Sequence, residues 1–172
     1  MGIGFNAMEG LIREAKFRSF EGVVYTFGRQ TMDLSPEGTN ELFKGLNLSP
    51  AGGLAQPDWV DTVTSAAGSK ENPIRDVDFF KMVGFSEVKA IDVSGFEGAE
   101  LILDLNGDIP PILKETCDFL VDGSLLDNIF DPISGLRTAV KLLRPNGRLY
   151  LSNAGNHSVH IGGIPYLIFT PI

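Results

Sequence analysis

The chain has 172 residues, a formal net charge of -8 and a hydrophobic content of 43%. This length and composition predict one folded domain over residues 1–172, with enough apolar side chains for a buried core. The acidic charge argues against nucleic acid as a partner, because phosphate binding needs clustered lysine and arginine. The densest basic cluster, Arg13, Lys16 and Arg18, is more simply the solvated face of a helix.

The chain has a single cysteine, Cys117, which excludes an internal disulfide and a cysteine-based metal site. We expect Cys117 to be an ordinary small apolar residue beside a strand. No cationic N-terminal region precedes an apolar run, and no stretch reaches the roughly 18 apolar residues of a membrane span. We therefore expect a cytoplasmic protein that does not contact a membrane.

The first half of the chain predicts one buried strand between two helices. The elements are a helix at residues 6–18, a strand at 23–27 and a helix at 36–45. The strand is β-branched and aromatic, which is typical of a buried position. Ser35 and Pro36 mark the start of the second helix, because serine caps free N–H groups and proline fits the first helical position.

A turn-rich stretch follows. We predict a loop at residues 47–57, a short helix at 58–67 and a second break at 68–73. This stretch could be a mobile lid or simply a long connection.

From residue 75 onward, strands and helices alternate. The elements are a helix at 76–83 capped by Gly84, strands at 88–93 and 100–104, a helical turn at 112–116, a strand at 119–122, a helix at 131–143, a turn at 145–147, a strand at 148–152 and one further strand at 166–170. In the helix at 131–143, an apolar stripe is predicted from Ile133, Leu136, Val140 and Leu143. Apolar strands that alternate with helices predict an α/β fold with a Rossmann-like, doubly wound, mostly parallel sheet covered by helices on both faces.

Ligands of such sheets bind beyond the carboxyl ends of the strands, where the strand order reverses. The candidate binding residues at these ends are Gly28, Arg29, Gln30, Asp92, Val93, Asp104, Leu105, Asp122 and Gly123. Asp92 could accept both hydroxyls of a ribose, or could only begin a turn. Asp104 could accept an adenine amino group while neighbouring backbone reads the ring edge, or could form a turn of its own.

The segment after the strand at 119–122 holds further polar candidates. Gly123 permits a ligand to approach the backbone closely. Asp127 and Asn128 could orient a substrate hydroxyl or amine in the cleft, and Asp127 could equally cap a helix. His157 and His160 are interpreted as loop histidines rather than metal ligands, because no nearby motif supplies a third ligand. One of them could be a general base. No metal site is predicted, and no catalytic residue is assigned.

Three stretches in this order resemble the class I S-adenosylmethionine-dependent methyltransferases. Residues 88–110 resemble the second-to-third strand region of that family, and residues 117–125 resemble its fourth strand and the loop after it. Residues 131–150 are similar to its helix and turn before strand five, usually written L-L-[KR]-P-G-G-x-L. The resemblance spans about residues 75–155. It implies S-adenosylmethionine as cofactor and a small-molecule or protein methyl acceptor of unknown identity.

The same resemblance implies a role for each strand-end carboxylate. Asp92 would take the ribose hydroxyls, Asp104 the adenine, and Asp122 would line the cofactor cleft.

The chain departs from that family at two places. The first strand of the family ends in a glycine-rich loop against the methionine part of the cofactor; here Gly28 fits, but Arg29 and Gln30 replace the other glycines. Arg29 could pair with the methionine carboxylate, whose geometry its planar fork matches, or could fill the pocket and prevent binding. The sheet is also incomplete relative to the seven-stranded family sheet. The sequence could be a C-terminally truncated fragment, or the chain could complete its sheet by pairing with a second copy in a homodimer.

Two other interpretations stay open. The first is a degenerate, non-catalytic methyltransferase-fold module for binding or interaction, favoured by the altered first loop. The second is a nicotinamide-dependent Rossmann enzyme, which the acidic residue after the second strand suits. The absence of the dinucleotide glycine fingerprint argues against this second interpretation.

Overall fold

A parallel sheet of five strands forms the centre of the protein in the computed structural model, which describes residues 2–56 and 72–153. In chain order the strands are β1 (Gly2–Ile3), β2 (Val23–Phe27), β3 (Thr31–Met32), β4 (Glu87–Asp92), β5 (Leu101–Ile102), β6 (Cys117–Asp122) and β7 (Leu143–Leu151). The strand order in the large sheet is β5–β4–β2–β6–β7, and every neighbouring pair is parallel. The predicted doubly wound α/β fold is therefore confirmed.

Four α-helices and one short 3-10 turn connect the strands that the structure describes. They are α1 (Phe5–Phe17), α2 (Pro36–Gly45), α3 (Asp76–Val83), the 3-10 turn (Pro111–Leu113) and α4 (Pro132–Leu142). Within residues 2–56 and 72–153, no helix is long and apolar enough to cross a membrane. The predicted helix at 58–67, the predicted strand at 166–170, and His157 and His160 lie outside the described residues.

The two faces of the sheet support two separate cores. Alternate residues of β2 point to opposite faces, so Val24 packs in one core while Tyr25 and Phe27 pack in the other. The first core includes buried residues of α1, α2 and α3, and the second includes Ala139 and Leu142 of α4. The sheet is therefore covered by helices on both sides, as the alternating pattern predicts.

The first turns of α2 and α4 are capped by side chains, and the cap at Ser35 is the predicted one. The Ser35 side chain accepts a hydrogen bond from the Gly38 N–H at 3.1 Å. The Asp131 carboxylate accepts from the N–H groups of Ile133 and Ser134, both at 3.1 Å. These bonds satisfy donors in the first turn that have no partner inside the helix.

The predicted apolar stripe of α4 is wrong at three of its four residues, and only Leu143 packs against the core. Ile133, Leu136 and Val140 are exposed, and the buried residues of the helix are Gly135, Thr138, Ala139 and Leu142. The reason is close packing: a Cβ built on Gly135 would lie 2.5 Å from Leu126 and 2.6 Å from Ile129. The helix therefore turns its small residues inward, where larger ones do not fit.

Several strand boundaries also differ from the predictions. β7 begins at Leu143, and the predicted turn at 145–147 is a bulge in which residues 144–147 lie opposite Asp118 alone. The predicted strand at 100–104 is reduced to β5, and the helical turn at 112–116 to the 3-10 turn. The short parallel pair β1–β3 is not predicted at all, because two-residue strands carry no readable pattern.

Candidate functional site at the carboxyl edge

The strand order reverses between β2 and β6. From β2 the sheet grows through β4 to β5 on one side, and through β6 to β7 on the other. In doubly wound sheets this switch point opens a crevice at the carboxyl ends of the strands. The nine predicted binding residues lie at this edge: Asp92 and Asp122 end β4 and β6, and the other seven lie in the loops after β2, β4, β5 and β6.

A cavity of about 170 Å³ lies at the carboxyl ends of β4 and β5, against the segment after β6. It is lined by Asp92, Val93, Leu103, Asp104, Leu105, Asn106, Leu125 and Ile129. Four predicted binding residues are thus brought together on one cavity. Its volume is below the roughly 300 Å³ where small-molecule pockets usually begin. The cavity therefore suits one part of a ligand, such as a base, better than a whole cofactor.

Both carboxylates of the cavity also organise local turns. One Asp92 oxygen accepts from the Ser94 N–H at 3.1 Å. One Asp104 oxygen accepts from the backbone N–H of Asn106 at 2.9 Å and from its side-chain amide at 3.1 Å. Within the described residues, the second oxygen of each carboxylate makes no hydrogen bond. Asp92 and Asp104 can therefore each hold a turn with one carboxylate oxygen and accept a hydrogen bond from a ligand with the other.

Sequence reasoning missed three of the residues that line the cavity, Leu103, Leu125 and Ile129. Asn106 directly follows the predicted Asp104–Leu105 pair at the same strand end. Leu125 and Ile129 approach from the segment after β6, and no local signal predicts that approach.

Arg29 is already paired with protein carboxylates. One guanidinium nitrogen contacts Asp76 at 3.5 Å, while the other donates to the Gly98 carbonyl at 3.0 Å and closely contacts Glu100. The arginine side chain is only 13% exposed. Its fork therefore joins α3 to the segment before β5, and sequence reasoning missed both of its acidic partners.

Gln30 fills the switch point between β2 and β6. Its side chain is fully buried and donates to the carbonyls of Phe27 at 2.7 Å and Gly28 at 3.1 Å. A Cβ built on Gly123 would lie 1.9 Å from the Gln30 side-chain oxygen. Glycine at position 123 thus permits a close approach, but the approaching group in this structure is Gln30.

The N-terminal strand adds to this contact. The Gly2 N–H donates to the Gly123 carbonyl at 3.2 Å, and Gly2 pairs with Thr31, the residue after Gln30. The expected methionine end of the crevice is therefore closely packed by protein.

Asp122 is buried beneath the loop after β6. One of its oxygens accepts from the N–H groups of Leu125 at 2.7 Å and Leu126 at 3.3 Å, and the other accepts from the Asn153 amide at 2.8 Å. Burial raises the pKa of the Asp122 carboxyl, and these hydrogen bonds oppose that rise. The side chain shapes the loop that closes one side of the cavity.

Asp127 and Asn128 hold the same loop together. Asp127 is fully buried, accepts from the Ser124 hydroxyl at 2.9 Å and from the Asn128 amide at 2.8 Å, and does not cap α4. Neither residue lines the cavity. Among the described residues, no group of three or more histidine, cysteine, aspartate or glutamate side chains is placed to hold a metal ion.

Comparison with known proteins adds one structural likeness. No protein-family model matches this sequence, and no curated protein matches it. Among solved structures, a proposed S-adenosyl-L-methionine-dependent methyltransferase from Methanococcus maripaludis is similar to this chain, at 14% sequence identity and a TM-score of 0.44. The match covers 87% of this chain and 57% of that one, so this chain spans little more than half of that protein.

Proposed function

We propose that this chain binds S-adenosylmethionine at the carboxyl edge of its sheet and acts as a methyltransferase-like protein. The observation that carries the proposal is the cavity, which gathers Asp92, Val93, Asp104 and Leu105 at the side of a doubly wound sheet where nucleosides bind. In this proposal Asp92 accepts the ribose hydroxyls and Asp104 accepts the adenine amino group.

The apolar members of the cavity support a base between them. Leu103 and Leu105 are buried, and Leu125 and Ile129 face them from the segment after β6. A flat, largely apolar ring with a polar edge fits such a lining, since the two carboxylates stand at its rim.

When bound, the cofactor supplies a methyl group on a sulfonium centre, which is transferred in line to an acceptor. Such a displacement depends mainly on the positioning of the two reactants. The described residues therefore bind and orient the cofactor, and the methyl acceptor is a small molecule or a protein.

Isothermal titration with S-adenosylmethionine and S-adenosylhomocysteine tests the cofactor claim. We expect binding to the natural chain and about tenfold weaker binding to Asp104→Asn, which corresponds to the loss of one good hydrogen bond to a charged group. Asp108→Asn is the matched control, because this nearby carboxylate is exposed and does not line the cavity. An absence of heat with both ligands at millimolar concentration would refute the claim.

A non-catalytic binding module is the second candidate, and the contacts of Arg29 and Gln30 favour it. Both side chains are committed to protein partners at the point where the methionine part would lie. Exposed apolar side chains, such as Phe130 at 97% exposure, offer a surface for a partner or for a second copy. Methyl transfer to any acceptor that is lost in Asp92→Ala would refute this candidate. Sedimentation velocity measures whether the chain forms a homodimer in solution.

A further inference from the structure

A second cavity lies at the opposite, amino edge of the sheet. Its volume is about 210 Å³, and residues at the C-terminal ends of α1, α2 and α3 line it. Phe20 and Gly84, which also line it, lie a few residues before β2 and β4, so the length of the strands separates it from the cavity at the carboxyl edge. The inner wall consists of buried apolar side chains: Ile12, Phe20, Phe43, Met82 and Val83.

The volume of this cavity sets the size of its occupant. An apolar cavity of about 150 Å³ in a protein interior binds benzene. The cavity at the amino edge is somewhat larger, so it accommodates a single ring with a short chain. The apolar wall favours such an occupant over water, because a bound water molecule needs several polar partners.

The backbone of the inner wall offers few hydrogen-bond acceptors. The Phe43 carbonyl accepts from the Leu48 N–H at 3.0 Å, and the Met82 carbonyl accepts from the Ala51 N–H at 2.8 Å. These bonds satisfy carbonyls at the ends of α2 and α3 that have no partner inside the helix. An ammonium group on the occupant would therefore find few acceptors at the wall.

The polar groups of this cavity lie at its rim. Lys16, Ser19 and Ser49 line the cavity and are exposed to solvent. The helix ends carry partial negative charge, and each of the three helices opposes it with a lysine in its last turn, Lys16, Lys44 and Lys81. The rim therefore presents a positive side chain and two hydroxyl groups to an occupant.

The basic cluster seen in the sequence divides at this place. Arg13 is paired with Glu9 at 2.6 Å, and Arg18 donates to the Asn146 carbonyl at 3.3 Å. Lys16 forms no salt bridge within the described residues. Lys16 is thus the member of the cluster that stands at the cavity with its charge available to a ligand.

We propose that the cavity at the amino edge binds a small amphipathic carboxylate. The apolar part, a single ring on a short chain, fills the cavity, and the carboxylate lies at the rim. There the Lys16 ammonium and the hydroxyl groups of Ser19 and Ser49 donate hydrogen bonds to it. This site does not depend on the proposed function, because its lining shares no residue with the cavity at the carboxyl edge.

Three ligands of nearly the same shape test the site. They are 4-phenylbutyrate, 4-phenylbutan-1-ol and 4-phenylbutylamine, whose head groups are negative, neutral and positive. Titration of the nitrogen-15-labelled full chain, followed by amide chemical shifts, measures each affinity and locates the ligand. We expect the carboxylate to bind about tenfold more tightly than the alcohol at low salt, as one hydrogen bond to a charged group allows, and the amine to bind weakest. The preference should shrink at high salt, and the shifts should concentrate at residues 12–20, 43–51 and 82–84.

Matched variants separate the rim charge from the general charge of this surface. Lys16→Gln should lower the affinity for 4-phenylbutyrate to about that of the alcohol. Lys81→Gln is the control, because Lys81 is also an exposed lysine in the last turn of a helix but does not line the cavity. Ala15→Leu enlarges a side chain of the lining and should abolish binding of both the carboxylate and the alcohol. If that variant does not fold, Lys16→Gln still decides, since its position is exposed.

Three results would each overturn the proposed site. They are an amine that binds as tightly as the carboxylate, an equal loss of affinity in Lys16→Gln and Lys81→Gln, and an absence of shifts at the cavity with all three ligands at millimolar concentration. None of these results bears on the adenosine site, which the titration with S-adenosylmethionine tests separately.

Discussion

Replacing Asp122 by alanine should destabilise the fold strongly, while replacing it by asparagine should not. Asp122 accepts hydrogen bonds from the N–H groups of Leu125 and Leu126 and from the Asn153 amide. Alanine leaves these donors without an acceptor under a buried loop, and we expect a loss of about 2–5 kcal/mol in the free energy of unfolding. Asparagine keeps one oxygen for the two N–H groups. Its amide can donate to the unused Asn153 oxygen once that side chain flips.

The two variants should also differ in their pH dependence. Burial raises the pKa of Asp122 in the folded protein, so the folded state binds this proton more tightly than the unfolded state. The resulting contribution to stability is fully present below the ordinary carboxyl pKa and is lost as pH rises through the folded value. Asparagine does not titrate. The stability of Asp122→Asn relative to the natural chain should therefore rise with pH across this window.

Urea unfolding followed by far-ultraviolet circular dichroism measures both effects at a series of pH values between 4 and 8. Equal slopes of the unfolding free energy against urea concentration show that the variants expose similar surface areas when they unfold. Equal destabilisation by asparagine and by alanine would contradict this role of Asp122. A stability of Asp122→Asn that falls relative to the natural chain as pH rises would contradict its raised pKa.

Three further outcomes follow from packing. Burial raises the pKa of the Cys117 thiol to about 12, so it should resist thiol reagents at pH 8 until urea unfolds the chain; rapid labelling of the native protein would contradict this. Gly123→Ala should cost about 1–3 kcal/mol, because its Cβ would meet Gln30, and adding Gln30→Ala should recover part of the loss. Strict additivity in that double-mutant cycle would count against the contact. On α4, Leu142→Ala should lower the free energy of unfolding by about 2–5 kcal/mol and Val140→Ser by less than about 0.5 kcal/mol, as measured by urea unfolding. The reverse order would indicate that Val140 faces the core, as the sequence pattern predicts.

Features encoded by neighbouring residues were predictable from the sequence. The caps at Ser35 and Asp131 act within a few residues, so their side-chain chemistry is sufficient to place them. The alternation of apolar strands and helices likewise predicts a parallel sheet, because such strands need cover on both faces. The candidate carboxylates followed from the same logic, since Asp92 and Asp104 come at or just past the ends of their strands.

The orientation of α4 was not predictable in this way. Periodicity marks Ile133 and Val140 as inward-facing, yet both are exposed. Gly135 packs so closely on Leu126 and Ile129 that this face of the helix must lie against them. Which face is buried depends on the space left by the partner surface, and that space is absent from the helix's own sequence.

The sequence by itself therefore determined the class of fold and which residues stand at the carboxyl edge. The tertiary structure alone decided how those residues meet. It joined Asp92 and Asp104 with Leu125 in one cavity, paired Arg29 with Asp76 and Glu100, and set Gln30 against Gly123. These contacts join residues of different strands, loops and helices, which become neighbours only through the order of the sheet and the packing of α3 against it. Their geometry follows from packing between elements, which no local pattern of residues specifies.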